Sequence, residues 1–133
     1  MVAEGKVKGM KGVLIIAGLI TLIYWGILLV FVTPGMTALY GAPYPAEPIY
    51  VRTIGMLFVV LGLFFLLASR DPVKNLLVVN VGIINYVLMV IFYIISMFIT
   101  KETVGFVWWI NLILSVIFLI LFIAFRPKTA AKA

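Results

Sequence analysis

The chain has no cysteine and no histidine, and only four of its 133 residues are acidic. Lacking cysteine, it has no disulfide framework, no thiolate nucleophile and no ligand for an iron–sulfur cluster. Lacking histidine as well, it is without the side chains that normally hold zinc or haem, and methionine ligation is the one route left. No cofactor is therefore expected. The four carboxylates, Glu4, Glu47, Asp71 and Glu102, all lie outside the long apolar runs. Small proton-coupled transporters usually bury a carboxylate within the membrane, and no span here supplies one.

What is present is hydrophobic. Such residues make up 66% of the chain and charged residues 11%, with a mean hydropathy of +1.34. A water-soluble domain of this composition would have too little polar surface to cover itself. The apolar residues fall into four uncharged runs, Gly12–Thr33, Thr53–Ala68, Leu76–Ile99 and Val104–Phe125. A helix of roughly 20 residues crosses the ~30 Å hydrocarbon core, and buried backbone amides in lipid must be satisfied within the segment itself. The expected fold is thus an all-α integral membrane protein, a four-transmembrane-helix bundle forming a single membrane domain over residues 1–133. The expected spans are 12–33, 50–69, 75–99 and 104–125. The second run is the shortest and borrows Tyr50–Arg52 at its outer end. The first apolar stretch is too long for a signal-peptide core, and Pro34-Gly35-Met36-Thr37 offers no small-x-small cleavage site, so this span is read as retained.

The formal charge of +6 is distributed as a topology signal and not as a nucleic-acid footprint. Lys6, Lys8 and Lys11 precede the first span, Arg70 and Lys74 join the second to the third, and Arg126, Lys128 and Lys132 follow the fourth. The other two connections carry only Arg52 and Lys101, each accompanied by a glutamate. By the positive-inside rule both termini are cytoplasmic, in a cytoplasmic membrane of prokaryotic type. Anionic lipid headgroups are the natural company of the basic clusters.

Between the first two spans, residues 34–49 form an outer segment rich in proline and tyrosine. Thr33 is expected to end the first helix, with Pro34 and Gly35 stopping it. The alternate prolines Pro43, Pro45 and Pro48 favour extended backbone, while Tyr40 and Tyr44 suit the water–lipid boundary, so the segment should lie flat on the outer face. Trp108 and Trp109 read as an outer aromatic belt. Arg52 opens the second helix at an end where the dipole disfavours a cation, and Glu47, Glu102 or a lipid phosphate would compensate.

Within the spans, polarity is sparse and patterned. Gly55, Gly62 and Ser69 recur every seven residues, a small-residue stripe on which a neighbouring helix can approach closely. Gly82, Asn85, Met89, Phe92 and Ser96 share one face of the third span, and Trp108, Asn111, Ser115, Phe118 and Phe122 share one face of the fourth. Amides in hydrocarbon need partners, so both stripes should point to protein, with Asn85 level with Thr21 and Tyr24. The candidate packing and polar residues are Thr21, Gly55, Gly62, Gly82, Asn85, Asn111 and Ser115. The candidate outer-interface residues are Arg52, Glu47, Tyr44 and Trp108.

Pro48-Ile49-Tyr50-Val51-Arg52-Thr53-Ile54-Gly55 through Leu61-Gly62-Leu63, followed by Ala68-Ser69-Arg70-Asp71-Pro72, resembles small four-helix membrane proteins of the DoxX and BphX type. The likeness covers the second helix and its flanks, and some members of that group accompany membrane oxidoreductases as subunits. It transfers no catalytic residue. The function expected is that of a non-catalytic accessory or scaffold subunit packing against lipids and other transmembrane subunits. The alternative is a homo-oligomeric channel or small-solute transporter lined by Asn85, Asn111, Ser115 and Thr21.

Overall fold

The computed structural model describes residues 4–39, 41–99 and 105–128, and these form helices and connections with no strand among them. Four helices are long and apolar enough to cross a membrane, as the hydropathy of the runs predicts. They are α1 (Glu4–Val30), α3 (Pro48–Ala68), α4 (Leu76–Ile99) and α5 (Phe106–Ala124), with a short helix α2 (Pro34–Leu39) in the first connection.

The helices pair as two antiparallel hairpins. In the first, α1 lies against α3 through glycine. A Cβ at Gly62 would meet the backbone nitrogen of Leu22 at 2.7 Å and the carbonyl oxygen of Gly18 at 2.9 Å. Two turns further along, a Cβ at Gly55 would meet Val30 N at 2.7 Å and Gly26 O at 2.9 Å. The small-residue stripe read from the sequence therefore seats the chain's own first helix, backbone to backbone, where dispersion contacts are densest. In the second hairpin, Gly82 of α4 lies under the ring of Phe122 of α5, which occupies the place a Cβ would need.

The hairpins meet at the basic end of the bundle. Gly9 near the start of α1 lies against the ring of Phe125, just past the end of α5. Farther in, Tyr86 at 0% exposure is surrounded by Phe65, Phe118 and Phe122, at ring-centroid distances of 6.4, 5.4 and 5.4 Å. This aromatic cluster fills the space between the hairpins over that half of the bundle. Lys6, Lys8, Lys11, Arg70, Lys74, Arg126 and Lys128 all belong to that end. There Asp71 organises the α3–α4 turn: its carboxylate accepts from Lys74 N at 3.2 Å and pairs with Lys74 Nζ at 3.6 Å, while its carbonyl accepts from Asn75 N. Arg126 Nε donates to Asn80 Oδ1 at 2.9 Å, which ties α4 to the segment after α5 at the same end.

The helix boundaries depart from expectation at two places, each for a local reason. The first helix ends at Val30, and Thr33 does not close it but opens α2. Thr33 Oγ1 accepts from Met36 N at 3.3 Å, and Pro34 occupies the first helical position, where its missing N–H costs nothing. Gly41, at φ +66°, then closes α2: Gly41 N donates to Ala38 O and Ala42 N to Thr37 O, the paired bonds of a glycine-capped helix end. The following residues, 42–47, run without regular structure, as Pro43 and Pro45 predict. The second departure is that α1 widens into a π-helical stretch at Thr21–Ile27, and α4 does so at Ile95–Ile99. Each wide turn shifts the phase of the residues beyond it, a device common at functional positions in helices.

The glycine contacts give a direct test. Gly62→Leu should destabilise the bundle by about 1–3 kcal/mol in detergent unfolding, because its side chain has only backbone to displace. Gly12→Leu, which meets nothing within 4 Å, should unfold as the parent does.

Candidate functional site

In the half of the bundle remote from the basic end, its outer half, the space between the hairpins is not filled. A cavity of about 660 Å³ lies there, within the size range of sites for small organic ligands. Its walls come from the outer turns of α1, α3, α4 and α5, and Met36, Thr37 and Ala42 of the α2 region roof it. The floor is Trp25, which is 4% exposed and packs 6.5 Å from Tyr86 of the aromatic cluster and 6.2 Å from Phe58. The π-helical stretch of α1 spans Trp25, so the local widening occurs at the level of this floor.

The walls are apolar and aromatic, and among the described residues none of the lining side chains is charged. Trp108 forms the outer wall with Phe92 and Tyr93, at 6.1 Å tilted and 5.6 Å edge-to-face respectively. Such arrangements set the positive edge of one ring against the negative face of another and fix ring positions. Trp108 thus serves as a cavity wall, while its neighbour Trp109 is exposed and meets Phe98 at 5.8 Å, as a belt residue would.

Two asparagines supply the polarity, and they are used differently. Asn111 is engaged on both sides: Oδ1 accepts from Trp25 Nε1 at 3.2 Å, and the amide is hydrogen-bonded to the Tyr93 hydroxyl. These bonds join α1, α4 and α5 across the cavity floor. Asn85 lines the same cavity from α4, and its Nδ2 donates only to the thioether of Met89, one turn away at 3.4 Å. A thioether is a weak acceptor, so this amide keeps a second N–H and its carbonyl oxygen for other partners.

The remaining predicted residues sit elsewhere. Thr21, 1% exposed, lies below the floor, with Oγ1 3.4 Å from the Tyr86 hydroxyl, a long bond between α1 and α4. Ser115, fully buried, donates to the carbonyl of its own helix at Asn111, 2.7 Å away. Gly55, Gly62 and Gly82 are helix-contact positions and do not border the cavity. Arg52, Glu47 and Tyr44 are exposed at the outer end, and the ion pair seen among the described residues is Lys74–Asp71 and not one with Arg52. Glu102, the other carboxylate considered for Arg52, lies outside the described residues, as does Tyr40.

Sequence reasoning placed Asn85 and Asn111 facing protein, and the structure brings both to one cavity. It gave no role to Trp25, Tyr86 or Tyr93. The available signal was spacing: Val79, Gly82, Tyr86 and Tyr93 fall on one helical stripe and are the buried residues of the α-helical part of α4. Phe92, assigned to the inward stripe, is 54% exposed because it stands at the edge of that face.

Comparison with known proteins returned no matching family model, no matching curated protein and no matching solved structure.

Asn111→Leu should remove the interhelical bonds of the floor, costing about 0.6–1.7 kcal/mol of stability as measured for such bonds in membranes. Calorimetry or unfolding in detergent would register it. Thr21→Val, which removes one long bond at the same volume, should cost less.

Proposed function

We propose that this chain is a non-catalytic accessory or scaffold subunit of a larger membrane assembly, acting by contact with partner transmembrane helices and lipids. The observation that supports this reading best is the contrast between its interior and its exterior. The small and polar residues of the spans are used within the chain, as glycine contacts and as the Thr21–Tyr86, Trp25–Asn111 and Ser115–Asn111 bonds. The outward faces carry large apolar side chains without interruption, among them Leu77, Val81, Ile84, Leu88, Ile91 and Ile95 on α4. A protein with such an exterior and no grouped acid, base or nucleophile within its spans has contact surface as its means of action.

The channel reading is less well supported. A pore between copies would need Thr21, Asn85, Asn111 and Ser115 to face outward, whereas they face their own bundle. A path through a single copy would have to pass the buried rings of Phe65, Tyr86, Phe118 and Phe122.

The basic end is assigned to the cytoplasm by the positive-inside rule. Because the chain has no native cysteine, single cysteines report cleanly. In intact cells, cysteines replacing Lys8 and Lys128 should both resist a membrane-impermeant maleimide, and one replacing Pro45 should react. Reaction at Lys8 or Lys128 would reverse the assignment.

The subunit reading is tested by photo-crosslinking in native membranes. A photoreactive residue at Ile84 or Ile117, both exposed, should give a discrete protein adduct of fixed mass, and one at buried Val79 should not. Labelling of lipid alone at every exposed position would remove the partner from the account.

A further inference from the structure

We propose that the outer-half cavity is a binding site for one uncharged, ring-bearing lipophile that presents a carbonyl or hydroxyl oxygen to Asn85. This goes beyond the subunit reading and does not depend on it. Four observations define the occupant. The first is charge: among the described residues no Lys, Arg, Asp or Glu lines the cavity, so an ionic ligand would be desolvated without a counter-charge from them.

The second is shape and surface. Six rings, those of Tyr24, Trp25, Phe58, Phe92, Tyr93 and Trp108, border about 660 Å³. Aromatic walls of this density favour planar or polycyclic ligands, which stack on rings and meet their edges. A flexible acyl chain gains less from such walls and loses more conformational freedom on entry.

The third is access. Ile54 of α3 and Leu88 and Phe92 of α4 line the cavity and are also 47%, 60% and 54% exposed. The cavity therefore opens sideways between α3 and α4, at the depth of the apolar spans, where a ligand dissolved in the bilayer can enter. Met36, Thr37 and Ala42 of the α2 region border it on the side away from the basic end.

The fourth is the unequal use of the two amides. Asn111 is held by Trp25 and Tyr93, whereas among the described residues Asn85 bonds only to a thioether. An amide facing an apolar space with an N–H to spare gains most from an oxygen acceptor, and its own carbonyl can accept from a hydroxyl. Asn85 is the recognition group, and the rings supply the affinity.

The test uses a matched pair of probes, 1-acetylpyrene and 1-ethylpyrene, which share ring and size and differ in one carbonyl oxygen. The full chain is placed in lipid nanodiscs, and energy transfer from tryptophan to pyrene is read against empty discs. Trp25 and Trp108 line the cavity, so an occupant lies beside two donors. The expected result is one saturable site per chain, with 1-acetylpyrene binding about tenfold more tightly than 1-ethylpyrene. Asn85→Leu should abolish that preference by weakening only the acetyl probe, a change that a collapsed fold would not produce. The double substitution L28F/V51F, which fills the cavity from α1 and α3, should remove saturable binding of both probes. Transfer that rises without saturation would overturn the proposal, because it reports partition into lipid or a cavity already taken by acyl chains. Equal affinities for the two probes, or a preference that survives Asn85→Leu, would overturn the role of Asn85. None of these outcomes bears on crosslinking to a partner, so the two readings fail separately.

Discussion

Lipid offers a helix no hydrophobic incentive to leave it, since the tails are as apolar as leucine, and everything in this bundle follows from how it meets that constraint. Two means of cohesion remain, close backbone approach and hydrogen bonds. The chain uses the first where α1 and α3 cross, with Gly18 and Gly26 facing Gly62 and Gly55. It uses the second sparingly, with Thr21–Tyr86 and Trp25–Asn111 tying α1 to the other hairpin. The rest of the interior is ring packing around Tyr86.

This economy also shapes the site. At the basic end the hairpins are drawn together by Gly9 against Phe125 and by the Phe65–Tyr86–Phe122 cluster. At the outer end the connection between α1 and α3 is long enough to fold α2 over the top, and the wall residues Tyr93 and Trp108 stay apart from Phe58 and Ile54 across an open space. One half of the bundle is thus a packed core and the other a lined cavity, with Trp25 as the division.

The sequence displayed the four spans plainly because length and hydropathy alone decide them, and it displayed the Gly55/Gly62 stripe because glycine at a seven-residue spacing has few other uses in a membrane helix. The faces were harder to read. In a soluble helix the core side is apolar and the other side polar, whereas here Ile84 faces out and Val79 faces in with no difference in polarity. Periodicity then distinguishes only polar and small residues, which is why Asn85, Asn111 and Ser115 read as inward while nothing in the pattern gives Trp25 or Tyr93 a side. The π-helical stretch of α1 lay beyond reach for another reason: it changes the phase of the helix with no proline in Thr21–Ile27 to mark it. Thr33-Pro34 was legible but ambiguous, since such a pair suits the stop of one helix as well as the start of another, and here it only opens α2.

The central claim is that the glycine contacts and the cavity floor belong to a single chain, so that the bundle is closed upon itself before any partner or ligand is added. Solid-state NMR in lipid bilayers tests it most directly, using isotope-labelled chain diluted into an excess of unlabelled chain. Cross-peaks joining Gly62 to Leu22 and the Trp25 indole N–H to Asn111 should keep their intensity per labelled chain at every dilution. Their disappearance on dilution would show that these contacts form between copies and would contradict the account.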